Sequence, residues 1–135
     1  MKTLFLDTGY LIALEALDDQ NHVVALQYWS KLLKSPPSII TTTYVFDEVV
    51  TFFNNRIQHN KAVEVGINLI ESKFVQIIHV DETLFFESWK YFQNRSDKTY
   101  SLTDCISFVV MKQRKIKSAL SFDKHFPQAG FEKLP

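Results

Sequence analysis

The chain has 135 residues, 46% of them apolar, and its 15 basic side chains balance its 15 acidic ones. That supports one hydrophobic core and argues against intrinsic disorder, so a single domain over residues 1–135 is expected. Zero net charge excludes a globally basic phosphate clamp, though not an enzyme that meets phosphates through a bound cation.

In chain order, Lys2 to Asp7 (KTLFLD) is an apolar run closed by an acid and predicts a buried strand. Tyr10 to Leu17 continues as a short helix. Asn21 is placed to cap a second helix, in which Val24, Leu26, Trp29, Leu32 and Leu33 recur at helical spacing. Pro36-Pro37 ends it, and the β-branched run Ser38 to Thr42 predicts a strand. A third helix is expected from Thr43 to about Gln58, and a fourth capped by Asn60 and ending near Ser72. Phe74 to Val80 reads as a strand, after which Asp81 opens a helix through Phe85, Trp89 and Phe92. A polar loop, Ser96 to Thr99, leads to Ser101 and Asp104, whose spacing fits a capping box at the head of a helix from Thr103 to about Arg114. Ser118 to Ser121 is a fourth strand and Phe131 to Leu134 a candidate fifth. Strands alternating with helices predict an α/β fold, a three-layer sandwich whose mostly parallel sheet carries helices on both faces.

Cys105 is the only cysteine, which excludes an intrachain disulfide and a cysteine-based zinc site. The four histidines form no H-x-x-x-H pair. No apolar run reaches membrane-spanning length, and the N-terminus enters a strand-like segment without the plan of a signal peptide. A soluble protein of a reducing cytoplasm is the expectation.

Ligands of open parallel sheets bind beyond the carboxyl ends of the strands, at the topological switch point. Asp7 ends the first strand, and Asp123 follows the fourth (ALSFD). Asp104 opens the helix that leads into that fourth strand, and so starts at the same edge. Three carboxylates distant in sequence are therefore expected to converge. Glu48 lies one turn into the third helix, with Tyr44, Val45, Thr51 and Phe52 as its helical neighbours, and the whole helix reads as buried. Asp47 has similar neighbours, so periodicity does not choose between the two. Each acid also has an ordinary reading: Asp7 as a cap, Asp104 in its capping box, Asp123 in a turn, Glu48 on a helix surface. Together, however, four like charges repel unless a cation compensates. With no soft ligand set, the expected ion is Mg²⁺, with Mn²⁺ as its substitute, and such a site suits phosphodiester hydrolysis.

LFLDTGYLIAL at the N-terminus, TTTYVFDEVVTFF in the third helix and the C-terminal block from YSLTDCISFVV to KSALSFDKHFPQAGFEKLP resemble the PIN-domain family over the whole chain, in order and spacing. Similarity is greatest to its VapC-type branch, the toxins of type II toxin–antitoxin operons. The resemblance implies a PIN-like sheet of four to five strands and a Mg²⁺-dependent endoribonuclease. It also implies a homodimer and a cognate antitoxin that blocks the active-site groove. It assigns the family's invariant glutamate to Glu48 rather than Asp47. Asp7 and Asp104 would be the principal metal ligands and Asp123 would complete the site, while Glu48 would act on a metal-associated water. Ser121 stands where threonine is frequent and would orient Asp123 or that water; Thr8 would hydrogen-bond within the cluster. Gly9 departs from the family, where serine is common. Cys105 reads as a small core residue.

Between Lys112 and Lys124 five cations face Asp123 alone, and Lys98 and Lys124 are the candidates for receiving RNA phosphates. Tyr44 and Tyr100 are candidates for stacking on a base, and an apolar face on the first helices or on Phe85–Phe92 is a candidate for a dimer contact. A haloacid-dehalogenase-type phosphatase needs a second Asp where Gly9 stands, and a receiver domain needs an Asp that SIIT lacks. The rival is a catalytically silent PIN fold that binds a protein or RNA.

Overall fold

A computed structural model describes residues 2–135; Met1 of the expected domain lies outside the described residues. The strands are β1 (Thr3–Leu6), β2 (Ser38–Thr42), β3 (Val75–Ile78), β4 (Ser118–Leu120) and β5 (Glu132–Leu134). The helices are α1 (Thr8–Glu15), α2 (His22–Leu32), α3 (Thr43–Asn55), α4 (His59–Glu71), α5 (Glu82–Gln93), α6 (Leu102–Gln113) and the single turn α7 (His125–Gln128). All five strands pair in parallel in the order β3-β2-β1-β4-β5. The three-layer α/β/α architecture expected from the alternation is what forms.

β1 and β4 are buried on both faces, as all-parallel strands covered by helices must be. The chain adds β2 and β3 on one side of β1, then returns to place β4 on the other. With that strand order, the right-handed crossover rule for parallel strands puts the helices of the first half on one face and α5 and α6 on the other. α6 is buried from Asp104 to Met111, the mark of a helix enclosed on all sides. α3 buries only Val45, Val49 and Phe53, spaced four apart on one stripe. The expectation that the whole helix is buried is therefore corrected: Asp47 and Glu48 both face solvent.

Two starts also differ. α4 begins at His59 with Gln58 at its cap, so Asn60 lies inside it. Asn21 holds the cap position of α2 but makes no side-chain capping bond. Asp81 and Ser101 cap as expected, each accepting from the backbone N–H three residues on.

Candidate active site

The gap between β1 and β4 is where the strand order reverses, and the site is built on their carboxyl ends. Asp7 follows β1 directly, and its backbone N–H donates to Leu120 O at 3.1 Å, tying it to β4. It stands at the N-cap of α1 yet makes no side-chain capping bond. Instead its Oδ2 accepts from Ser121 Oγ at 2.8 Å, and Ser121 Oγ accepts from the Asp123 backbone N–H at 3.0 Å. One buried hydroxyl thus joins the acid after β1 to the backbone of the acid after β4. Burial pushes the Asp7 carboxyl up from 3.8 to about 7; the Ser121 bond opposes this, and the charges of Asp104 and Asp123 add to it.

Asp104 enters from the head of α6 in a complete capping box. Its backbone N–H donates to Ser101 Oγ at 3.0 Å, and its Oδ2 accepts from the Ser101 N–H at 3.2 Å. The same Oδ2 lies 3.2 Å from His125 Nδ1. The ordinary capping role is thus real, but among the described residues it engages only one carboxylate oxygen. Burial again raises this carboxyl, the Ser101 backbone opposes, and Asp123 adds. Asp123 is partly exposed; its Oδ1 accepts from the His125 backbone N–H at 2.9 Å and lies 3.2 Å from His125 Nδ1.

His125 is the residue that sequence reasoning missed. Its Nδ1 spans the two carboxylates, and its Nε2 lies 3.1 Å from Thr99 Oγ1. One donor atom from each of Asp104, Asp123 and His125 lie within 4.8 Å of one another. Asp7 stands beside that trio, near enough for its carboxyl to feel both other acids. The only cue in sequence was the D-x-H spacing after β4.

Glu48 is exposed, but Thr8 Oγ1 donates to its Oε1 at 2.7 Å, which holds it at the mouth next to Asp7. Asp47 turns instead to Thr51, whose hydroxyl donates to it at 3.2 Å. Geometry thus separates two acids that periodicity left equal. Lys124 is exposed between Asp123 and His125, and Lys98, also exposed, lies 3.7 Å from Asp97. Tyr100 is only 6% exposed, so its face is closed to a base. Cys105 is fully buried, and burial pushes its thiol up to about 11, as befits an inert core residue.

Asp104 and Asp123 offer hard carboxylate oxygens and His125 a borderline imidazole nitrogen, with Asp7 beside them and the one cysteine buried in the core, a donor set that fits a divalent cation. The upward push on two of the acids is what buried like charge produces, and a cation would relieve it.

The family model described as PIN domain matches residues 4–132. The 23S rRNA-specific endonuclease VapC20 of Mycobacterium tuberculosis is 32% identical over 128 residues, 95% of each chain. A VapC ribonuclease of Archaeoglobus fulgidus is 26% identical over 90% of this chain and 77% of its own. The crystal structure of Mycobacterium tuberculosis VapC20, a Sarcin-Ricin loop cleaving toxin, superposes with a TM-score of 0.86 at 31% identity, covering 95% of both chains. FitAcB from Neisseria gonorrhoeae shares the fold alone, with a TM-score of 0.65 at 16% identity over 98% of this chain and 96% of its own.

Proposed function

This chain belongs to the PIN domain family, and from that premise we propose that it is a Mg²⁺-dependent endoribonuclease, the toxin of a toxin–antitoxin pair. The observation that carries the reading is the meeting of Asp7, Asp104, Asp123 and His125 at the switch point between β1 and β4. Identity of 32% to a 23S rRNA-specific endonuclease supports RNA as the substrate, and ribosomal RNA is the first to try. We read residues 1–135 as one domain acting in the cytoplasm; among the described residues no helix is long and apolar enough to cross a membrane.

Asp7, Asp104 and Asp123 would hold the cation, with His125 in reach. When bound, such an ion supplies positive charge against the phosphate and acidity for a nearby water. Hydrolysis joins the oxygen of a water to phosphorus and breaks the bond to the 3′-oxygen, which takes up a proton and leaves as a hydroxyl. We assign Glu48 to receive the proton of that water. Its carboxylate is open to solvent, and Thr8 steadies one of its oxygens. Ser121 aims Asp7 and Ser101 anchors Asp104, so both carboxylates are oriented before RNA arrives. We assign Lys98, next to Thr99, and Lys124, next to Asp123, both exposed, to meet RNA phosphates. Exposed apolar side chains on α2 (Val23, Val24) and α4 (Val63, Ile67) support protein partners, namely a cognate antitoxin and a second copy.

The test is incubation of ribosomal and total RNA with the wild-type protein and Mg²⁺ or Mn²⁺. Discrete cuts bearing 5′-phosphate ends are expected, stopped by EDTA and restored by excess ion. An inactive wild type across these RNAs would favour the silent interaction module.

A further inference from the structure

We propose that the cleft between α5 and the loop before α6 is a stacking subsite for an unpaired RNA base, beside the acid cluster. The proposal deepens the ribonuclease reading and rests on it.

α5 buries Leu84 and Ser88, yet Trp89 and Phe92, three residues apart, are 42% and 38% exposed. Their rings stack with centroids 5.5 Å apart and planes 12° from parallel. With Arg95, Lys98 and Tyr100 they line a cleft of about 230 Å³. Sites for whole drug-sized ligands run to ~300–1,000 Å³, so this one suits a single planar ring. Two half-exposed rings side by side at the wall of a cleft offer an apolar surface for a planar ligand.

Charge identifies the occupant. From Lys90 to Lys98 the chain carries Lys90, Arg95 and Lys98 against Asp97 alone. The Arg95 guanidinium lies 4.2 Å from the Tyr91 ring centroid and donates to Asn94 O, with no carboxylate partner among the described residues. Trp, Phe and Arg are common at protein–protein interfaces too, but Arg95 has no carboxylate partner among those residues, and a free cation beside stacked aromatic rings is the composition that binds single-stranded nucleic acid. Position agrees with charge. Tyr100 backs the cleft and packs edge-on against His125 at 5.3 Å, and His125 touches Asp104 and Asp123. Thr99, from the same loop, meets the other side of the imidazole. A strand with its scissile phosphate at the acids would therefore lay a neighbouring nucleotide here. Its base would stack on Trp89 and Phe92, and its phosphate would meet Arg95.

The experiment measures anisotropy of a short labelled single-stranded RNA of random sequence, and of a blunt duplex, both on protein carrying Asp104→Asn so that neither is cut. Adding Trp89→Ala, Phe92→Ala or Arg95→Ala is expected to weaken single-strand binding ~10-fold each while Trp89→Phe retains most of it, and the duplex is expected to be indifferent. Unchanged single-strand affinity in Trp89→Ala overturns the proposal. So does a shift from dimer to monomer in sedimentation of that variant, which would assign the face to a second copy. A parallel Mn²⁺ cleavage assay keeps the two readings apart. If the wild type cuts RNA and Trp89→Ala cuts with equal kcat/KM, the subsite fails and the nuclease stands. If the wild type binds RNA through Trp89 but never cuts it, the nuclease reading fails instead.

Discussion

At the scale of single residues, Asp7 carries the largest conflict. It is buried beneath the sheet edge, with two more acids close by. Its folded-state value of about 7 lies above the ordinary 3.8. Below about pH 4 both folded and unfolded chains are protonated there, and the site costs nothing. From pH 4 to 7 the unfolded chain ionises first, so stability falls as pH rises, by on the order of 4 kcal/mol in all. Asp104, also raised, acts in the same direction. In EDTA at pH 8, Asp7→Asn is therefore expected to melt several degrees above the wild type, and Mn²⁺ to narrow that gap by stabilising only the wild type. A variant that melts lower would contradict the burial argument; thermal melts at pH 5 and pH 8 decide. Asp7, Asp104 and Asp123 were legible in sequence because a parallel sheet dictates where strand ends and helix heads lie. Glu48 was legible only through family resemblance, since α3 shows inside and outside by a stripe of three residues that a run of aromatics obscures. His125 was not read, because it belongs to a one-turn helix with no periodicity to announce it.

At the scale of elements, caps connect stability to chemistry. Ser101 and Asp81 each accept one backbone N–H at a helix head, α6 and α5 respectively. Removing either hydroxyl or carboxylate, as Ser101→Ala or Asp81→Ala, is expected to cost about 1 kcal/mol. Only Ser101→Ala should also slow RNA cleavage, since it frees the Asp104 backbone N–H from its hydroxyl partner; equal activity in the two variants would show that this half of the capping box does not position the acid. At its other end, α3 closes with Ile57 at φ 60, where Ile57 N–H reaches Asn54 O and Gln58 N–H reaches Phe53 O. That is the double-bonded C-terminal motif that favours glycine, and a β-branched residue is strained in it. Ile57 is 95% exposed and contributes no packing. Ile57→Gly is expected to stabilise the fold by about 1 kcal/mol in urea titration, with activity unchanged. Such backbone strain is invisible in sequence, which reads 56–58 only as a helix ending.

At the scale of the molecule, a five-stranded parallel sheet leaves one switch point, and the acids stand at its carboxyl edge. Alternating strands and helices were enough to read the fold class, because that pattern admits few topologies. The strand order and the one-turn α7 depend on long-range packing that no local pattern carries. We propose that this edge is a carboxylate cluster that cuts RNA with a divalent cation. The most direct test compares RNA cleavage in Mn²⁺ by the wild type and by Asp104→Asn, at equal folded concentration. A loss of ~100-fold or more, on the scale of removing a principal source of transition-state charge stabilisation, is the expected result. Equal cleavage by the two proteins would contradict the account.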